Sequence, residues 1–295
     1  MSDRVGDPLP LGGSGTWPYS KGLMAQALVG VGVGLEPAYR LAARLEVDLA
    51  ERDARTVELD RLEALAVLEL GEAEGVQVVS RLRRWSALQA LELPLLLLVG
   101  GATGTGKSTV ATEVAHRLGI TRVTSTDFVR QTMRAFFSPD FMPSVHSSSF
   151  EVDGGGEDAV VAGFLEQTRT VLVGVEGAID RALTEGWSMT LEGVHLVPGM
   201  IPSQIDGALV VHAVLAIESE DVHRTHFFVR DRATGGTRAM ERYLSQLDAI
   251  RRLQDYIVAR AHEAGVPVIE GSNPERATAT LLELVLAAAQ PGGSR

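Results

Sequence analysis

The sequence has no cysteine. That excludes disulfides, thiolate metal sites and cysteine nucleophiles, and leaves the redox compartment open. Lysine is nearly absent as well. Of 27 basic residues only two are lysine, Lys21 and Lys107, and the rest are arginine. Against that background a retained lysine marks a place that wants a compact ammonium and not a guanidinium fork. No apolar run is long: Leu93–Val99 falls far short of the roughly 20 residues needed to cross a bilayer. The N-terminus shows no charged-then-apolar leader pattern. A cytoplasmic protein without a membrane partner is the expectation. Positive charge is in deficit, and the net charge of −11 argues against a nucleic-acid partner. At 295 residues the chain has room for one large or two modest domains and a sizeable core.

The most informative stretch is Pro94–His116. Leu95–Val99 is apolar without alternation, the pattern of a strand buried on both faces. It leads into Gly101-Ala102-Thr103-Gly104-Thr105-Gly106-Lys107-Ser108, which fits G-x-x-x-x-G-K-[ST] at every fixed position. Val110, Val114, Ala115 and Leu118 then recur at helical spacing. The glycines permit a tight turn that brings successive N–H groups onto an anion, and the helix start adds orphan donors. Gly101, Thr103, Gly104, Thr105, Gly106, Lys107, Ser108 and Thr109 are therefore the expected nucleotide cradle. Lys107 would reach the β- and γ-phosphates, and the Ser108 hydroxyl would ligate Mg²⁺. A nucleoside triphosphate, taken as ATP, and Mg²⁺ are the expected cofactors.

Residues 1–16 are rich in Gly, Pro and Ser and read as a tail. Residues 17–92 read as a small helical domain. Helices are expected over Lys21–Val31, Glu36–Glu51, Val57–Leu70 and Val76–Leu91, with breaks at Gly71 and Gly75 and an apolar stripe of Leu41, Leu45 and Leu49. Such a module could pack or dimerise, which leaves room for a homodimer, or could bring Lys21 near an anion. Residues 93–295 read as strand and helix in alternation. Further strands are expected at Arg122–Ser125, Trp187–Leu191, Ala208–Ile217 and Val266–Glu270. Helices are expected over Phe128–Phe137, Glu157–Gly186 with a break near Gly174, Glu218–Arg230 and Met240–Ala264, with a closing helix from Asn273-Pro274. Residues 137–156 read as a long loop. The implied class is α/β, a five-stranded parallel sheet with helices on both faces and ligands at the carboxyl ends of the strands.

Polar groups gather at those ends. Asp127, after the second strand, could orient or deprotonate an acceptor hydroxyl, hold Mg²⁺ through water, or simply cap the next helix. Arg130 and Arg134, one turn apart, could hold an anionic acceptor or form a solvated face. Glu192 ends the third strand, where an acid can order Mg²⁺-bound water, so Ser108 and Glu192 are the expected metal pair. His195, in the turn beyond, could contact the acceptor. Arg224, Arg230, Arg232 and Arg238 surround Gly235-Gly236. They suit a lid that closes over the phosphates and neutralises charge, or a salt-bridged surface helix.

PYSKGLMAQAL, GGATGTGKST, TSTDFVRQTMR, VHSSSF, LEGVHLVPG, FFVRDRA and RYLSQLDAIRRLQDYI together resemble the 2-phosphoglycerate kinase family. The resemblance implies ATP-dependent phosphorylation of 2-phosphoglycerate to 2,3-bisphosphoglycerate. It implies a P-loop kinase domain similar to nucleotide and shikimate kinases, behind a helical region similar to the ATP-cone module. Lys107, Asp127, Glu192, Arg230 and Arg232 are then expected in catalysis. Asp127, Arg130, Arg134, His195 and Arg238 are expected around a small anionic phosphorylated substrate. The residues themselves also allow a kinase for another phosphorylated acid, sugar or polyol phosphate, or a regulatory ATPase.

Overall fold

A computed structural model describes residues 19–151, 158–233 and 240–289, and of residues 229–233 and 240 the backbone alone. The expected tail over residues 1–16, Arg238 and Gly235-Gly236 lie outside the described residues, as do the side chains of Arg230 and Arg232. The chain forms two units. Among the described residues, one comprises those up to Glu92 together with Arg117–Gly119 and those from Leu282. The other comprises Leu93–His116 and Ile120–Leu281.

The first unit is helical: α1 (Lys21–Gly30), α2 (Leu35–Glu51), α3 (Leu59–Leu70) and α4 (Glu72–Ala90). Ser20 Oγ caps α1 by accepting from the Leu23 amide. The expected stripe Leu41, Leu45 and Leu49 is buried with Met24, Leu28, Leu62 and Leu82. Gly71 separates α3 from α4, but Gly75 is no break. A Cβ there would lie 2.5 Å from the Val67 backbone, so Gly75 lets α4 approach α3. Lys21 is held by Glu46 at 3.0 Å on an exposed surface.

The second unit carries a parallel five-stranded sheet: β1 (Leu95–Gly100), β2 (Val123–Ser125), β3 (Met189–Glu192), β4 (Leu209–Ala216) and β5 (Val268–Glu270), in the order β2-β3-β1-β4-β5. β1 is buried at every residue, as its apolar run expects. The helices that follow β1 in the chain are α5 (Lys107–Arg117), α6 (Thr126–Phe136), α7 (Ala159–Thr184), α8 (Glu220–Ala233), α9 (Met240–Ser245), α10 (Leu247–Glu263) and α11 (Pro274–Ala288), of which Arg117 and the part of α11 from Leu282 belong to the first unit. One apolar cluster joins Phe164, Phe227, Ile250, Leu253 and Ile257. A second joins Leu96, Leu98 and Leu191 to Val171, Val175 and Ile179 of α7. This is the P-loop kinase arrangement, α/β as expected.

Three local expectations change. α7 runs unbroken through Gly174, where a Cβ would lie 2.6 Å from Val129 of α6. The expected helix over 240–264 divides at Gln246 into α9 and α10. The long loop after α6 contains a 3₁₀ turn, Pro143–His146. Among the described residues no helix is long and apolar enough to cross a membrane.

Candidate phosphate and acceptor site

β1 delivers the chain into the glycine loop at the middle of the sheet. Gly101, Gly104 and Gly106 all take positive φ, at 139°, 90° and 84°, which side chains resist. Thr105, fully buried, donates from Oγ1 to Ala102 O at 3.0 Å and closes the loop on itself. In α5 the Val110 amide bonds to Gly106 O at 3.1 Å. The amides ahead of it are the orphan donors of a helix start, and the helix dipole adds positive potential there. The Lys107 ammonium lies over the loop, 3.1 Å from Ala102 O. Backbone donors, dipole and ammonium converge, which is the electrostatics a polyphosphate needs.

Glu192 ends β3 in register with Val99 of β1. It is 8% exposed, and a carboxylate so placed needs a partner. Ser108 Oγ supplies one, donating to Glu192 Oε1 at 2.9 Å. A hydroxyl and a carboxylate are hard oxygen donors, the kind Mg²⁺ takes alongside waters and phosphate oxygens. The pair therefore fits the expected metal.

α6 begins one element further along. Its cap is Ser125, whose Oγ accepts from the Phe128 amide at 3.0 Å. The alternative that Asp127 caps this helix is thereby corrected. The Asp127 carboxylate, 65% exposed, is left to accept from Arg130 Nε at 3.3 Å. Desolvation pushes its pKa up, but His195, Arg130 and Lys107 outweigh that and hold it below the usual carboxylate range. Arg130 does not lie on a solvated face. Its Nη1 donates to Val145 O at 3.0 Å and Ser147 O at 2.8 Å, so the guanidinium grips the serine-rich loop from beneath. Arg134 stays exposed and, among the described residues, reaches Gln131, 3.3 Å away. The structure does not bring Arg130 and Arg134 together as a pair.

His195 is fully buried. Its Nδ1 lies 2.8 Å from Thr126 Oγ1 and its Nε2 3.0 Å from Gln167 Oε1. Gln167 Nε2 donates to the carbonyls of Ser144 and Ser147, so its oxygen faces the imidazole and accepts from Nε2–H. Nδ1 then accepts from the Thr126 hydroxyl. Burial pushes the imidazole pKa down to about 4; Asp127 pulls upward, and Arg130 and Lys107 add to the depression. Both ring nitrogens of His195 are thus engaged, with Thr126 and with Gln167, and neither is left over for the expected contact with an acceptor. Gly193 permits the arrangement, because a Cβ there would collide with Thr126 Oγ1.

Of the arginine cluster, Arg224 is paired with Glu220 one turn away on the surface. Several site-shaping residues carry no motif. Gln167 sits mid-helix on α7 inside the polar run Glu166–Thr170, where nothing in the sequence sets it apart. Arg242 of α9 donates to Ser148 Oγ at 3.0 Å and pairs with Glu151. His223 and His226 of α8 bond to the phosphate loop, at 2.8 Å to Thr103 O and 3.0 Å to Gly104 O.

The chain is similar to curated proteins named 2-phosphoglycerate kinase. The protein from Methanopyrus kandleri is 35% identical over 262 residues, covering 87% of this chain and 80% of that one. The Pyrococcus furiosus protein is 34% identical, covering 91% and 89%. The Methanothermobacter thermautotrophicus protein is 37% identical, covering 86% of each. No family model matches the chain.

Proposed function

We propose, from the premise that this chain belongs to the 2-phosphoglycerate kinase family, that it is a phosphotransferase converting 2-phosphoglycerate to 2,3-bisphosphoglycerate with ATP. The free hydroxyl oxygen of the acceptor attacks the γ-phosphorus, the bond to the β,γ-bridging oxygen breaks, and ADP leaves. The observation that carries the reading is the pairing of Ser108 with Glu192 at 2.9 Å beside the glycine loop. Mg²⁺ held there would supply neutralising charge to the β- and γ-phosphates. Loop amides and Lys107 bind the triphosphate.

Asp127 accepts the acceptor hydroxyl's hydrogen bond and takes or relays its proton. Its depressed pKa keeps it ionised for that at neutral pH. Arg130, through the Val145 and Ser147 carbonyls, fixes the loop that the acceptor meets. Arg134 is free to turn toward an acceptor anion, and Arg230, Arg232 and Arg238 are assigned to closure over the phosphates. With loose transition states, catalysis in such sites is mainly positioning and charge neutralisation. A cytoplasmic location goes with a soluble donor and acceptor.

The test is an acceptor panel with ADP release as readout: 2-phosphoglycerate, 3-phosphoglycerate, glycerol phosphates and sugar phosphates. 2-Phosphoglycerate should give the largest kcat/KM and a bisphosphorylated product. Preference for another acceptor would move the substrate. ATP hydrolysis that no acceptor stimulates would make the chain a regulatory ATPase.

A further inference from the structure

The loop amides do not aim themselves. A trans peptide is planar, with its C=O and N–H on opposite sides. Whatever fixes a carbonyl on one side of the loop therefore aims the next residue's N–H to the other. α8 does this twice. His223 Nε2 lies 2.8 Å from Thr103 O, and His226 Nδ1 lies 3.0 Å from Gly104 O. A carbonyl only accepts, so each ring nitrogen carries the proton and donates. The first bond orients the Gly104 amide, the second the Thr105 amide. Both amides belong to the stretch expected to hold phosphate.

The contact is intimate. A Cβ on Gly104 would lie 2.6 Å from Phe227 Cζ and 2.9 Å from His223 Nε2. His223, His226 and Phe227 stand at i, i+3 and i+4, one face of the helix. Behind them His223 stacks on Phe227 at 5.3 Å, and Phe227 stacks on Tyr243 of α9 at 5.3 Å with the rings 6° from parallel. His223 is thus a donor on a braced face, and His226 stands one turn further along the same face.

We propose that His223 and His226 are positioning residues for nucleotide binding: by donating to Thr103 O and Gly104 O they aim the Gly104 and Thr105 amides at the phosphates. The inference rests on the nucleotide reading of the glycine loop given above. It predicts which replacements work. Asn places an amide N–H where Nδ1–H stood, and Gln places one where Nε2–H stood. His226→Asn and His223→Gln should keep the aim, and His226→Ala and His223→Leu should lose it.

The experiment is ADP binding by calorimetry, with KM for ATP and for the acceptor, on the full chain. Wild type is measured first; failure to bind ADP would remove the nucleotide reading itself. Given wild-type binding, His226→Ala should raise the ADP Kd roughly three- to tenfold, the worth of one net hydrogen bond. The acceptor KM and melting temperature should stay unchanged, and His226→Asn should restore most of the affinity. His226 is only partly buried, so it carries the test if His223 variants fold poorly. Three results would overturn the proposal: ADP affinity unchanged in His226→Ala, Asn no better than Ala, or an affinity loss that tracks a fall in melting temperature.

Discussion

Acidification is the most direct probe of the buried network at His195. Burial holds this imidazole at about 4 in the folded chain, against 6.5 for the free side chain. Between those values the unfolded state binds more protons than the folded one, so stability rises with pH across the window. The contribution is whole above 6.5 and is lost as pH falls toward about 4. Between pH 7 and pH 5 the loss works out at about 2 kcal/mol. His195→Gln removes the titration while keeping a donor toward Gln167. Urea unfolding of both proteins at pH 7 and pH 5 isolates the effect as a difference of differences. Wild type should lose about 2 kcal/mol more than the variant over that interval. The imidazole Cε1–H resonance, followed by NMR, should show no titration above pH 5. Equal pH dependence in the two proteins, or a midpoint above 6, would refute the reasoning.

Lys107→Ala should lower kcat on the order of a hundredfold or more, the effect of losing a preorganised charge, and steady-state kinetics at saturating nucleotide decide it. Arg130→Ala removes two donations to loop carbonyls. It should cost about 3 kcal/mol in urea unfolding and raise the acceptor KM more than the ATP KM; the opposite ordering would place Arg130 on the nucleotide side. Gly104→Ala puts a Cβ against Phe227 at positive φ. The backbone alone should cost about 1–2 kcal/mol, and ADP binding should collapse with it; undiminished calorimetric titration would contradict the packing described.

The sheet and its loop were legible because each rests on local chemistry. A wholly apolar strand, a fixed glycine spacing and a helical repeat agree over residues 95–118. Glu192 was legible as a carboxylate ending the third strand. What escaped depends on partners in other elements. Gly75 and Gly174 carry the same symbol as a helix-breaking glycine, but each exists for a neighbouring helix that only the fold supplies. Arg130 reads with Arg134 as holding an anionic acceptor or forming a solvated face, yet the carbonyls it grips come 15 and 17 residues later. His223 and His226 lie some 120 residues from the carbonyls they bond. Imidazoles at i and i+3 were visible on the page, but no spacing rule ties that pair to a glycine loop so distant.

The strand order has a consequence for biosynthesis. β1 pairs with strands whose matching residues are Met189 and Leu209, roughly a hundred positions downstream. Its six apolar residues therefore emerge from the ribosome long before either neighbour does. The helical unit fares no better, since it takes in the chain from Leu282 onward. Neither half can be finished until segments far downstream of its first elements have been made. Such a nascent chain calls for sheltering of its apolar β1 segment until its pairing strands arrive, and its yield should respond to holding chaperones more than to elongation rate.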